Sequence, residues 1–235
     1  MDNRSKILIL VEGDRTDVRL MDHLLDVYGI SENHQIVPYH TNIYTLYNEM
    51  FRDGDPASLD LLQVLKSHEQ NPETKKLFDQ RYSDILLVFD LDPQDPLFSP
   101  QKIMEMASFF VESSEMGKLY LNYPMVEAFY HMKNIPDENF NSYVATMAEL
   151  RGRTYKQRVN NENRNHNQTK FAVNKEECSI VILQNIEKAN LISNQIQIYS
   201  LVAGAVDHVP FIQNPTLEEI LDADRKAREY VVNSI

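Results

Sequence analysis

Two short apolar runs carry the strongest secondary-structure signal in the chain. Lys6–Val11 reads KILILV and Ile85–Phe89 reads ILLVF, and both are rich in leucine and β-branched residues. Uninterrupted apolar runs of this length are typical of strands that are buried on both faces of a parallel sheet. We therefore predict that these two runs form neighbouring strands of one sheet.

The segments between the two runs show helical spacing and turn signals. Apolar residues recur at intervals of three and four over Thr16–Tyr28, which predicts an amphipathic helix. Gln35–Tyr39 is predicted to be a short second strand. Two further helices are expected at Asn42–Arg52 and Leu59–His68, because the DGDP sequence at 53–56 would break a continuous one.

The chain continues to alternate between strand and helix after the second run. Three prolines in PQDPLFSP predict a rigid loop at 93–100. A helix at Gln101–Met116, a short strand at Lys118–Asn122 and a helix starting at Pro124 are expected to follow. This alternation predicts an α/β fold in which helices flank a parallel sheet.

Strand signals mostly vanish beyond about residue 135. Val173–Ser193 and Thr216–Val232 are predicted to be helices, and the asparagine-rich Asn160–Asn167 is predicted to be a mobile polar loop. We therefore predict an α/β domain at residues 1–135 and a mostly helical extension at 136–235, which can pack together as one domain.

Composition narrows the class of protein. The chain has 235 residues, of which 43% are hydrophobic, so a sizeable core can form. It contains no apolar run near twenty residues and no signal-peptide pattern, so we expect a cytoplasmic protein without a membrane partner. Cys178 is the only cysteine, which excludes a disulfide framework and a cysteine-based zinc site. Because SIVIL follows it, Cys178 is predicted to be a buried core thiol.

The distribution of charge is uneven. A formal net charge of −12 argues against a protein that coats DNA nonspecifically. One segment, residues 151–170, nevertheless contains a single acid, Glu162, and six basic residues: Arg151, Arg153, Lys156, Arg158, Arg164 and Lys170. This local excess indicates either a surface that guides a phosphate backbone or an ordinary solvated face.

Acidic residues stand where the two apolar runs end. Glu12 follows the first run, and Asp90 and Asp92 follow the second. Ligands of open α/β sheets bind at the carboxyl ends of the strands, so these carboxylates are expected to converge. Oxygen ligands of this kind favour Mg²⁺ or Mn²⁺. The ordinary alternative is that Glu12 is an acid favoured at a helix N-terminus, and that the aspartates are loop residues before Pro93.

The spacing of the two aspartates suits two ligands of one metal ion. In a continuing strand Asp90 and Asp92 would lie on one face, and Leu91 would point back into the fold. Divalent ions held by carboxylates can activate water and neutralise the charge of a phosphodiester, and a basic side chain can stabilise the transition state.

The sequences LVEGDRTD (Leu10–Asp17) and LVFDLD (Leu87–Asp92) resemble the TOPRIM domain of topoisomerases, primases and several nucleases, over about residues 5–130. The resemblance implies a Rossmann-like TOPRIM catalytic domain at residues 1–135. It also implies that Glu12 acts in acid/base chemistry and helps to bind metal, and that Asp90 and Asp92 bind Mg²⁺. Gly13 would allow the close turn that this family uses between strand and helix.

The segment NYPMVEAF (Asn122–Phe129), followed by Tyr155 and Lys156, resembles the stand-alone TOPRIM proteins of bacterial phage defence. These are the RloB-like and AbiL-type proteins and the TOPRIM effector of PARIS systems, which are related to the TOPRIM domain of OLD nucleases. The resemblance implies that Glu127 is a further catalytic acid at the cleft and that Lys156 contacts phosphate.

The acidic pattern and the TOPRIM resemblance lead us to expect a metal-dependent endonuclease. The resemblance to the defence proteins further implies an effector of anti-phage defence that cuts tRNA or DNA. Arg151, Arg153, Lys156 and Arg158 would guide the nucleic-acid backbone. The chain has no G-x-x-x-x-G-K-[ST] motif, so the resemblance implies a separate ATPase partner. The sequence leaves open whether the protein forms a homodimer.

Two other classes of function remain at this stage. A receiver-like or flavodoxin-like module also places acids at strand ends, and Asp90 could then accept a phosphoryl group. The chain shows no convincing strand-end lysine late in its sequence and no acidic pair at its first strand, both of which a receiver tends to have. A catalytically decayed module that only regulates a partner would bind no metal.

Overall fold

The computed structural model describes residues 6–52, 54–114, 116–166 and 171–208, together with 222, 223, 225 and 226. The chain divides into two compact units, Met1–Ile182 and Leu183–Ile235. No helix within the described residues combines the length and the apolar character that crossing a membrane requires.

One five-stranded sheet organises the first unit. Its strands are β1 (Ile7–Val11), β2 (His34–Pro38), β3 (Asp84–Asp90), β4 (Val111–Glu112) and β5 (Gly117–Asn122). Their order across the sheet is β2-β1-β3-β5-β4, and all pairs are parallel except β4 with β5. The predicted α/β class and the neighbouring positions of the two apolar strands are therefore confirmed. The architecture is compatible with a Rossmann-like fold.

Helices accompany the sheet along the chain. Those of the α type are α1 (Thr16–Tyr28), α2 (Ile43–Phe51), α3 (Leu61–His68), α4 (Pro72–Leu77), α5 (Pro100–Phe109), α6 (Met147–Arg151), α7 (Tyr155–Glu162) and α8 (Lys175–His208). Helix α1 has the predicted bounds and ends at Gly29, whose φ of 67° suits a glycine at a helix C-terminus.

The two central strands bury both of their faces, as their continuous apolar sequence predicts. Leu10 of β1 and Phe89 of β3 pack in a core that also includes residues of α2, α3 and α5. Ile9 and Val11 pack with Leu25 of α1 on the opposite face. Helices on both faces leave the carboxyl ends of the strands as the place where polar side chains can gather.

The predicted helix at Gln101–Met116 is wrong in its second half. Helix α5 ends at Phe109, and β4 follows it and pairs antiparallel with β5. Phe110, only 1% exposed, packs its ring against Phe109 and Phe51. Tertiary packing of this aromatic cluster thus overrides the helical pattern.

Two other sequence predictions are also corrected. The segment after Pro124 forms only a short 3₁₀ helix, Val126–Tyr130, and its first backbone N–H donates to the Asp90 carboxylate. Asn160–Asn167 is not wholly a loop, because α7 continues to Glu162 and is anchored by the buried Val159. The residue that follows α7, Asn163, is itself buried.

The C-terminal third is largely helical where it is described. Helix α8 runs from Lys175 to His208, beyond the predicted end at Ser193. The predicted helix at Thr216–Val232 lies outside the described residues, apart from four of them. Cys178 is fully buried, as predicted for a core thiol, and burial raises the pKa of its side chain.

Candidate metal centre

Glu12 is the first residue after β1, and its backbone still continues the sheet at the carboxyl end of that strand. Its carbonyl oxygen accepts a hydrogen bond from His40 N at 3.0 Å, just beyond the end of β2. The chain then turns into α1 through Gly13. A Cβ at Gly13 would lie 2.5 Å from Oδ2 of Asp17, so the absence of a side chain lets Asp17 approach the strand end.

Asp90 is the last residue of β3 and is held in a fixed orientation. Its Oδ1 accepts hydrogen bonds from Asn122 Nδ2 at 3.0 Å and from Val126 N at 2.8 Å. Its backbone N–H donates to Oε2 of Glu12 at 3.2 Å, which ties the two strand ends together. With 7% exposure, Asp90 is the most enclosed of the three predicted ligands.

Asp92 reaches the same place by a turn and not by continuing the strand. Strand β3 ends at Asp90, and the φ of Asp92 is 43°, so the predicted face sharing along a strand does not apply. Asp92 N donates to the Pro124 carbonyl at 3.0 Å, and Asp92 Oδ1 accepts from Gln94 Nε2 at 2.8 Å. These two contacts hold Asp92 in its left-handed backbone conformation and orient its carboxylate near those of Glu12 and Asp90.

The three predicted ligands come together. One carboxylate oxygen from each of Glu12, Asp90 and Asp92 lies within 4.8 Å of the other two. An all-oxygen, partly buried set of this kind fits the preferences of Mg²⁺ and Mn²⁺. Second contacts from Asn122, Gln94 and the backbone orient the ligands, as is usual around protein metal sites.

Burial and mutual repulsion make the ionised form of this cluster unfavourable. Burial, followed by the nearby charge of Asp92, raises the pKa of Glu12 to about 8. Burial and then Glu12 raise the pKa of Asp90 well above its usual value, and burial raises the pKa of Asp92. The metal-free cluster therefore retains protons where isolated carboxyl groups would not, and a cation would relieve this cost.

Glu127 and Lys156 form an ion pair beside the cluster. Lys156 Nζ lies 3.0 Å from Glu127 Oε1, and the Glu127 side chain is 3% exposed. Its other oxygen, Oε2, is buried and has no hydrogen-bond partner among the residues that the structure describes. Burial lowers the pKa of Lys156, but the charges of Glu127, Asp90 and Asp17 outweigh that effect and raise it overall. The structure thus brings both predicted residues to the centre.

Asp17 belongs to the same group of acids. Burial is the main cause of its raised pKa, and Glu127 contributes to the increase while Lys156 opposes it. The charge of Asp17 also raises the pKa of Glu12. The sequence signal for this residue is its place one helical turn after Glu12, at the start of α1.

The basic segment divides into two parts. Arg151 and Arg153 are exposed at the end of α6, where they remain predicted backbone contacts. Arg158 is instead engaged within the protein, because it pairs with Glu149 at 2.5 Å and lies over the Tyr155 ring. Its role here is to join α7 to α6, and none of these contacts reaches the acidic cluster. Lys170 lies outside the described residues.

We expect Lys156→Met to destabilise the metal-free protein by about 1–2 kcal/mol, because it leaves the buried Glu127 carboxylate without its cation. The free energy of unfolding from urea titration would measure this change. Adding Glu127→Gln to Lys156→Met should restore most of the loss. Lys133→Met is the matched control, since its 3.4 Å pair with Glu162 is half-exposed. An equal loss in both single variants would contradict the special role of the Lys156 pair.

Comparison of the chain with protein-family models, with curated proteins and with solved structures gives no match. The assignment of a function therefore rests on the fold and on the geometry of the centre.

Proposed function

We propose that this protein is a Mg²⁺- or Mn²⁺-dependent nuclease with a TOPRIM-type centre. The observation that carries the proposal is the convergence of Glu12, Asp90 and Asp92 from two adjacent parallel strands, within 4.8 Å of one another. The order of these acids along the chain, and the strand that precedes each group, agree with the resemblance to TOPRIM domains.

The side chains around the centre suit phosphodiester hydrolysis. A divalent ion bound there would supply charge neutralisation and a more acidic water. Glu12, Asp90 and Asp92 would hold that ion. Because the pKa of Glu12 is about 8 in the metal-free protein, binding of the ion near neutral pH would release a proton from its carboxyl group. The resemblance to TOPRIM domains also supports an acid/base role for Glu12. Lys156, whose side chain is 59% exposed, can present a positive charge to a phosphate oxygen.

The proposal predicts metal-dependent cleavage. Supercoiled plasmid, single-stranded DNA and total tRNA would be incubated with the protein and either Mn²⁺ or Mg²⁺, beside the Glu12→Gln variant and a sample containing EDTA. We expect the wild type to cut at least one substrate, with loss of cutting in both controls. Cleavage that persists in EDTA or at an undiminished rate in Glu12→Gln would contradict the assignment.

The resemblance to stand-alone TOPRIM proteins of phage defence extends the proposal to biological context. We propose that the nuclease is an effector whose activity is controlled by a separate ATPase. Affinity capture of the tagged Glu12→Gln variant from its native host should co-purify an ATPase. Capture without any ATPase, in a host where the wild-type protein protects against phage, would contradict this part.

The environment of Asp90 weighs against a phosphoryl-accepting receiver. A phosphoacceptor carboxylate must be reached by a phosphodonor, whereas Asp90 is 7% exposed. Its Oδ1 is already committed to Asn122 and to the backbone of Val126. Labelling with a small phosphodonor should therefore leave Asp90 unmodified.

A further inference from the structure

A pocket of about 330 Å³ lies at the carboxyl end of β2, one strand away from Glu12. Its floor is apolar and includes Leu65 and Phe78. Its walls include Tyr39, His40, His68, Glu69, Gln70 and Asn71. We call this cavity the β2 pocket. Its volume is at the small end of the roughly 300–1,000 Å³ range of ligand sites, which suits one nucleoside-sized group.

The β2 pocket adjoins the metal centre through the backbone. Tyr39 N donates to the Val11 carbonyl at 2.8 Å, and His40 N donates to the Glu12 carbonyl at 3.0 Å. The residues that enter the pocket are therefore fixed to the same strand end that carries Glu12. A polymeric substrate bound at the metal centre could place the unit next to the reacting one in the β2 pocket.

One wall of the pocket is a rigid aromatic platform. The rings of Tyr39 and His68 lie with centroids 4.6 Å apart and an interplanar angle of 32°. Glu49 fixes both rings, because it accepts from Tyr39 OH at 2.6 Å and lies 2.8 Å from His68 Nδ1. Tyr39 is buried beneath, while the His68 side chain is 29% exposed and can stack on a flat ligand.

The lining residues that directly follow α3 offer hydrogen-bond acceptors and amides. Glu69 is 9% exposed, and its Oε1 accepts from Gln70 N at 2.6 Å and Asn71 N at 2.7 Å. Both of these hydrogen bonds use Oε1, so Oε2 is the carboxylate oxygen that a ligand could engage. The side chains of Gln70 and Asn71 are exposed at the rim.

The charge of the β2 pocket favours the base of a nucleotide over its phosphate. None of the described residues that line it is a lysine or an arginine, and Glu69 is acidic. A phosphate would be repelled there, whereas a neutral ring with N–H groups could donate to Glu69 Oε2. The exocyclic amino groups of adenine, guanine and cytosine offer such donors, and these bases have the flat face that stacking on His68 requires. The ring N–H of uracil lies between two carbonyl oxygens, which the Glu69 carboxylate would repel.

We propose that the β2 pocket binds the base of an unpaired nucleotide adjacent to the scissile phosphate, with preference for bases that carry an exocyclic amino group. This inference rests on the proposed nuclease function and narrows its substrate to a single strand or a loop. A base within a duplex is stacked and paired, so it could not enter the β2 pocket without being extruded.

Binding of free nucleosides tests the pocket without involving the metal. Adenosine, guanosine, cytidine and uridine would each be titrated into the wild-type protein in EDTA, with the backbone amide signals of Gln70 and Asn71 followed by NMR. We expect saturable shifts with the three amino-bearing nucleosides and clearly weaker binding of uridine. No saturable shift with any of the four would overturn the proposal.

Glu69→Gln reverses the hydrogen-bonding character of the pocket with little change in shape. Its amide oxygen can still accept from the backbone of Gln70 and Asn71, while its NH₂ group replaces the open acceptor. We expect binding of the amino-bearing nucleosides to weaken by roughly tenfold. Glu73→Gln, an exposed change on α4 outside the pocket, is the matched control and should bind like the wild type. Equal affinity of Glu69→Gln and the wild type would overturn the proposal.

Kinetics on a cleaved single strand separate this inference from the proposed function. Glu69→Gln should raise KM while kcat stays close to that of the wild type, since the centre itself is unaltered. Nucleoside binding by a protein that never cleaves nucleic acid would refute the nuclease function and leave the pocket standing. Metal-dependent cleavage without nucleoside binding would refute the pocket alone.

Discussion

Asp90→Asn is expected to lower metal-dependent cleavage by roughly a thousandfold or more, because it removes the most buried ligand charge of the centre. The fold should survive the change. The amide oxygen of the new side chain can still accept from Asn122 Nδ2 and Val126 N, the two donors that hold Asp90 now. Loss of one repelling carboxylate should leave the metal-free protein at least as stable as the wild type.

A change at the opposite end of the same strand provides the control. Asp84→Asn alters the first residue of β3, where the carboxylate accepts from Ser113 and does not contribute to the centre. We expect this variant to cleave at the wild-type rate. Rates measured together with urea unfolding would separate the two roles. Full activity in Asp90→Asn would contradict the ligand assignment, and unfolding of this variant would contradict the expectation that the fold survives.

Metal binding should change the pH dependence of stability. The pKa of Glu12 is raised from 4.5 to about 8 in the folded, metal-free protein, so the folded state binds more protons than the unfolded state between these pH values. The free energy of unfolding must therefore fall as the pH rises from about 4.5 to about 8. The loss from Glu12 is on the order of a few kcal/mol, after allowance for its partial exposure.

A divalent ion should oppose this loss most strongly near pH 8, where the ligands ionise most readily. At an ion concentration one hundred times Kd, the stabilisation is about 2.7 kcal/mol. For a protein of this size that corresponds to a rise in Tm of roughly 2–4 °C per kcal/mol. Thermal unfolding of the wild type and Glu12→Gln with EDTA or Mn²⁺ over this pH range would measure it.

Glu12→Gln has no ionisable group at this position, so it should lose the part of the pH dependence that Glu12 contributes and most of the response to Mn²⁺. The part that arises from the buried Asp90 should remain. Stability of the metal-free wild type that rises steadily toward pH 8 would contradict the described electrostatics. An equal response of both proteins to Mn²⁺ would place the ion elsewhere.

The sequence could predict the central part of this site for a clear physical reason. Strands buried on both faces have an unmistakable apolar pattern, and the first polar residue after each of them must lie at an edge of the sheet. Glu12 and Asp90 are such residues, so their convergence follows from the parallel pairing of β1 and β3. Helix α1 could be predicted for a similar reason, because the apolar spacing and the terminal glycine that define it lie within one short segment.

Other features depend on contacts that are distant in sequence. Asp92 joins the centre through a left-handed turn tied to the Pro124 carbonyl, which no spacing rule for strands describes. Arg158 lies in the basic segment, and the sequence therefore predicts that it contacts a phosphate backbone. In the structure its charge is instead paired with Glu149 on the preceding helix. The β2 pocket likewise arises from the packing of residues after β2 against the end of α3, so no single motif marks it.

Anomalous diffraction from crystals grown with Mn²⁺ tests the central claim most directly. The account predicts one strong manganese peak between the carboxylates of Glu12, Asp90 and Asp92, and its absence in crystals of Asp90→Asn grown in the same way. A peak at any other position, or no peak at these three side chains in the wild type, would contradict the metal centre on which the proposed function depends.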